Sequence, residues 1–197
     1  MTTKTLVYLA LLACIVFWAI GGYNRLIRLK NTISNSFGQI DVQLKRRYDL
    51  IPNLVEAARK YLEHERETLE SVILARNTAL AASEAARARP GKAQAVNALG
   101  AAEEVLASSL GRLFVVAEAY PELKADQRIK DLSEEIVSTE NKVAFARQAF
   151  NDAVLDYNNA QAQFPTLVLA RVFGFAPSAM LQATQSDEER QTVRIKF

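Results

Sequence analysis

Apolar residues are arranged along this chain in two ways, and the change from one to the other falls near residue 24. From Thr5 to Asn24 the stretch TLVYLALLACIVFWAIGGYN carries no charged residue. At about 1.5 Å per helical residue it covers roughly the 30 Å hydrocarbon core of a bilayer. The pattern predicts one transmembrane helix, with Tyr8 near one end and Trp18 and Tyr23 toward the other, where amphipathic rings suit the interface. Beyond it, Leu26, Leu29, Ile33, Phe37, Ile40 and Leu44 recur at spacings of three or four, the mark of a helix with a narrow apolar seam. Gly21-Gly22 is the sole breaker between the two runs, so anchor and seam are expected to form one rod.

The seam is expected to end or kink at Tyr48 to Pro52, because the residue before a Pro is pushed out of the α region and Pro lacks the donor an interior position needs. A second helix from about Pro52 to Arg87 places Leu54, Ala58, Tyr61, Leu62, Leu69, Val72, Ile73 and Leu80 inside, and Arg89-Pro90-Gly91-Lys92 then reads as a turn. A third runs from Lys92 to Ala119 on Val96, Leu99, Leu106, Leu110, Leu113 and Val116, and Tyr120-Pro121 ends it. A fourth, from Lys124 to Phe164, carries Ile129, Leu132, Ile136, Val143, Ala146, Phe150, Val154 and Tyr157 inside. Short links make neighbouring helices antiparallel. The expected fold is all-α: an N-terminal transmembrane helix continuing into an antiparallel up-down bundle of long helices. Its expected parts are an anchor at residues 1–24, a bundle at 25–177 and a polar tail at 178–197. In that tail Val193, Ile195 and Phe197 alternate with Arg194 and Lys196 at the period of a strand, which leaves either a loose end or a hook that docks on another copy or partner.

Charge narrows the partners. With 24 basic against 22 acidic residues the net charge of +2 gives no argument for nucleic acid. Lys4 stands on one flank of the anchor and Arg25, Arg28 and Lys30 on the other, so the bundle is expected on the cytoplasmic face of a bacterial inner membrane. A cleaved signal peptide or a buried core helix remains an alternative for the apolar run, as does lipidation at Cys14, which follows Leu11-Leu12-Ala13. Against lipidation, cleavage there would leave the apolar IVFWAI at the new amino terminus.

Several short stretches together carry a family likeness: Tyr23-Asn24, Gln39 to Glu56, Tyr61 through His64-Glu65, Ala75-Arg76, Glu118 to Lys124, Glu140 through Arg147, Asn151, Tyr157-Asn158 and Phe173-Gly174-Phe175. As a set they resemble the LemA family of bacterial membrane proteins. The resemblance implies a helical bundle behind an N-terminal membrane helix, without implying a reaction. In some relatives a Cys immediately precedes the Gly-Tyr-Asn; here Cys14 lies well upstream of Gly22-Tyr23-Asn24, which favours an uncleaved anchor. Relatives with a lipid anchor would place the domain outside the cytoplasm. A family association with magnetosome membrane biogenesis implies a part in membrane organisation.

Enzymatic chemistry finds little footing. His64 is the one histidine, and His64-Glu65 lacks the second His at i+4 that a zinc protease needs, so no metal or cofactor is expected. Glu103-Glu104 and Glu134-Glu135 are adjacent on helices, and their side chains diverge by about 100°. The polar residues at or near the seams are Arg47, Asp49, Asn53, Glu56, Glu118, Glu140, Arg147, Asn151 and Asn158. They read either as buried pairs and amides that fix helix register or as a polar cleft, near the expected kink, that binds a partner. The sequence thus favours a non-enzymatic scaffold, anchored in the bilayer through residues 5–24, self-associating and open to a further membrane protein partner. The alternative is a ligand-sensing module that regulates a membrane enzyme or protease.

Overall fold

One helix carries the chain from the apolar run into the core. A computed structural model describes residues 3–182, and its elements are α1 (Thr3–Arg59), α2 (Arg66–Ala88), α3 (Ala93–Ala117), α4 (Pro121–Ala125), α5 (Gln127–Ala162) and α6 (Thr166–Val172). The first part of α1 is long and apolar enough to cross a membrane, and none of that window is buried against the protein. The rest of α1 is the spine of the bundle, burying Leu26, Ile33, Phe37, Ile40, Leu44, Tyr48, Ile51, Leu54, Val55 and Ala58. It packs along α5 on one side and α2 on the other, and α2 packs on α3. Facing α1, α5 buries Phe150, whose ring meets Phe37 edge-on at 5.8 Å; full burial of such a side chain stabilises by about 1.5–3 kcal/mol.

The expected break at Tyr48 to Pro52 is corrected: α1 runs through Pro52 to Arg59. An interior Pro frees the carbonyl four residues earlier, here that of Tyr48, and Arg76 Nε from α2 donates to it at 3.0 Å. Burial of Ile51, Leu54, Val55 and Ala58 holds the helix on either side of the Pro. The chain turns instead at residues 60–65, so His64 is exposed in a loop and the expected second helix is the end of α1 plus α2. Likewise the expected fourth helix divides into α4, which Pro121 starts, and α5, whose first N–H groups at Arg128 and Ile129 are capped by the Asp126 carboxylate.

After α5 the chain folds back on α1 through α6, which the sequence reading did not anticipate. A Cβ on Gly22 would stand 2.6 Å from Leu169 Cδ1, so α6 sits against the last residues of the apolar run. Tyr23 packs edge-on against Phe173 and Phe175 at 5.0 and 5.6 Å. The packed chain then continues past Pro177, with Leu181 buried beside Gly100 of α3. Val193, Ile195 and Phe197 lie outside the described residues.

Candidate functional site

Midway along the bundle α1, α3 and α5 bring ionisable side chains together. Arg47 of α1 is buried, and its Nη1 donates to Glu103 Oε2 of α3 at 2.9 Å. Its Nη2 stands 3.7 Å from Glu140 Oε2 of α5, an ion pair longer than a hydrogen bond. The buried Nε and Nη2 have no hydrogen-bond acceptor. Glu103 also accepts from the Tyr48 hydroxyl, which lies 3.3 Å from the Ala79 carbonyl as well. Burial pushes the Glu103 carboxyl above its ordinary value; Arg47 and the Tyr48 hydrogen bond oppose this, and Glu140 adds to the rise. Burial, followed by the Glu103 charge, also pushes the Tyr48 phenol far up, so it remains a donor. Arg147, Glu140, Glu103 and Arg47 line a cavity of about 170 Å³ floored by Ile40, Leu44 and Val143. Two guanidinium and two carboxyl groups around so small a volume suit a small polar guest with both charges.

Asn151 and Asn158 do different work. Asn158 donates to the Ser178 carbonyl and accepts from the Ser178 N–H, both at 2.9 Å. Asn151 does the same for Leu181, at 3.0 and 2.9 Å. Seven helical residues at about 1.5 Å span about 10 Å, and three extended residues at about 3.3 Å span the same, so the two amides match the backbone running past them. Tyr157 adds a hydrogen bond to the Ala176 carbonyl at 3.0 Å. On the other side the Ala179 N–H donates to the carbonyl of Gly91, whose φ of +94° favours glycine. The segment after α6 is thereby strapped between α5 and the α2–α3 turn, and Leu181 closes one wall of the Arg47 cavity.

The remaining predicted residues are not gathered at this centre. Asp49, Asn53, Glu56 and Glu118 are exposed, and so is Glu140 at the cavity mouth. Asp49 lies 4.0 Å from Arg76, with four-fifths of its side chain in solvent, a pair of little energetic consequence. Asn53 donates to the Asp49 carbonyl at 3.3 Å. Glu56 lines a separate groove of about 840 Å³ between the last turns of α1 and the start of α2, with Leu62, Leu69 and Ile73 as floor and Arg59, Lys60 and Glu63 among its rim. Asp49, Asn53 and Glu56 thus form no shared polar cleft among the described residues; the chain turns at residues 60–65, and the groove lies along that turn, between Val55 and Asn77.

Sequence reasoning missed Glu103, although Leu99, Glu103, Leu106 and Leu110 follow the seam spacing and mark it as inward-facing. It also missed Asp41, buried in the α1 seam, where Lys45 and Arg87 approach at 3.2 and 3.7 Å and Ser83 donates at 3.4 Å. Among the described residues no three His, Cys, Asp or Glu side chains are grouped to hold a metal ion.

The model of the LemA family matches residues 36–197. The chain belongs to the LemA family. Both the Arg47 centre and the Asn151–Asn158 strap fall inside the matched region. Among characterised proteins it is similar to Magnetosome protein MamQ of Magnetospirillum gryphiswaldense, 32% identical over 85 residues, and to Magnetosome proteins MamQ 1 and MamQ 2 of Paramagnetospirillum magneticum, each 31% identical over 85 residues. The match covers 43% of this chain and about a third (31%) of each relative's length. Family and first helix together point to a membrane-associated protein.

Proposed function

We propose that this LemA-family chain is a membrane-anchored, non-enzymatic scaffold that works through contacts of its bundle, self-association among them. The observation that carries this is the continuity of α1: one helix is fully exposed and apolar at its start and forms the spine of the core further on. An anchor of that kind holds the bundle at a set distance and aligns neighbouring copies. The α1 and α5 surfaces also expose Val42, Val137 and Phe145, and Phe145 borders a shallow groove shared with Gln39 and Gln43, which supports lateral contact. The magnetosome named in the MamQ relatives is consistent with a part in membrane organisation. Extraction of the full chain in mild detergent followed by mass measurement tests the reading. A closed homo-oligomer that Phe145→Glu reduces in size is the expected result; a monomer copurifying with a single enzyme would sink it.

That second outcome belongs to the other reading, a ligand-sensing regulator, which the Arg47 cavity with its unbonded guanidinium donors favours. The basic flank at Arg25, Arg28 and Lys30 supports a bundle on the cytoplasmic side of the inner membrane. A cysteine introduced at the exposed Asn77 should react with an impermeant reagent after lysis but not in intact cells; labelling in intact cells reverses the orientation.

A further inference from the structure

The base of the bundle carries an apolar surface that no described residue covers. Phe164, Val168, Val172 and Phe173 are 84%, 51%, 73% and 57% exposed. They belong to α6 and its two flanks, while Leu169 and Ala170 on the same short helix are buried against the rest of the fold. The height of this patch is set by contact: Leu169 meets α1 at Gly22, and Phe173 and Phe175 meet Tyr23. Gly22 and Tyr23 are the two residues before Asn24, the last of the uncharged run, so α6 meets the anchor within about 3 Å, two helical rises, of its end. Through the Phe173–Tyr23 contact the patch adjoins the end of the anchor.

Charge provides a second, independent observation. From Met1 to Ile40 and from Tyr157 to Gln182 the sequence has no Asp or Glu, although acidic residues are frequent between Asp41 and Asp156. Where these two segments meet, at Gly22, Tyr23 and α6, the nearby Arg25, Arg28, Lys30 and Arg171 are all exposed. A surface stripped of carboxylates, with cations around apolar side chains, matches anionic headgroups over an acyl boundary.

We infer that α6 with Phe164 and Phe173 is a membrane foot, seated in the interface of the bilayer that α1 crosses. Its apolar residues enter the acyl boundary, and Arg25, Arg28 and Arg171 meet anionic headgroups. The foot fixes the tilt of the bundle, because a single helix can rotate and tilt in lipid whereas a helix with a second contact beside it cannot do so freely. It also sets Phe175, where the strapped segment begins its run up the bundle toward Leu181, near the membrane surface. The inference rests on the anchored reading proposed above, and one experiment separates the two.

Trp18 is the only tryptophan and lies in the anchor. The full chain is reconstituted in phosphatidylcholine–phosphatidylglycerol vesicles with brominated acyl chains, which quench indole fluorescence on contact. Quenching of Trp18 in the unmodified chain reports the anchor. Phe173→Trp in a Trp18→Phe background reports the foot, with Val172→Trp as a second probe and Leu74→Trp, exposed on α2, as the aqueous reference. Quenching at 173 and 172 severalfold above that at 74, and rising with the phosphatidylglycerol fraction, is expected. If Trp18 is quenched while 172 and 173 behave like 74, the anchor stands and the foot is refuted. An unquenched Trp18 overturns the anchored reading and the foot with it.

Discussion

Replacing Arg76 by Met removes the guanidinium that reaches the Tyr48 carbonyl at 3.0 Å while keeping most of the apolar stem. That carbonyl lacks its helical donor because residue 52 is Pro. Leaving a carbonyl in this partly buried position without a partner costs about 1–3 kcal/mol, or about 2–12 °C in Tm for a domain of this size. The Arg76–Asp49 pair at 4.0 Å is too exposed to add much. Pro52→Ala returns an N–H to the i→i−4 position and, on its own, should stabilise, since an interior Pro is about 3 kcal/mol worse than Ala. In the Pro52→Ala background the restored helical bond makes Arg76 redundant at the carbonyl, so Arg76→Met should then cost about 1–2 kcal/mol less. The Asp49 contribution is the same in both backgrounds and cancels. Thermal unfolding of the four full-length chains in mild detergent, followed by helical circular dichroism, measures the cycle. An Arg76→Met cost that is equal in the two backgrounds would refute the account of how α1 passes through its proline.

Burial holds Glu103 above its ordinary value of 4.5, so in the folded state it keeps a proton that the unfolded chain has already released, and its contribution to stability falls as pH rises from that value through the folded pKa. Glu103→Gln lacks this titration. The stability advantage of the unmodified chain over the variant should therefore shrink with rising pH in paired melts, and an advantage that grows would show that pairing with Arg47 dominates burial. Asn158→Ala deletes both hydrogen bonds to Ser178, each worth about 0.5–1.5 kcal/mol. Amide exchange at Ser178 should quicken about tenfold to a hundredfold with α5 protection unchanged, and unaltered exchange would count against the strap.

Much of this fold was legible because helix burial is periodic. Leu26, Ile33, Phe37, Ile40 and Leu44 were readable as a seam from spacing, and all are buried. Pro52 misled because the rule that Pro ends helices is local, whereas the donor that makes it tolerable comes from residue 76 on another helix. α6 escaped because its seven residues are too short to show a period of 3.6. Asn151 and Asn158 stood out as polar positions beside a seam, but their partners are backbone groups of residues 178 and 181, which leave no mark in side-chain chemistry. Glu103 stands beside Glu104, a pairing that hides its place one turn from Leu99 and Leu106 on the inward face.

The order of apolar and polar residues was enough to predict a membrane-length helix and an all-α bundle, because hydrophobic period and length are properties of each segment alone; the family likeness rested instead on particular residues such as Gln39 to Glu56 and Glu118 to Lys124. Which charges meet, where the long helix truly ends and what surface lies at the base of the bundle depend on segments far apart in sequence. Arg47, Glu103 and Glu140 come from three helices, and Gly22 meets Leu169 across nearly the whole chain. Such juxtapositions follow from packing energies shared by the whole fold, which no single segment carries.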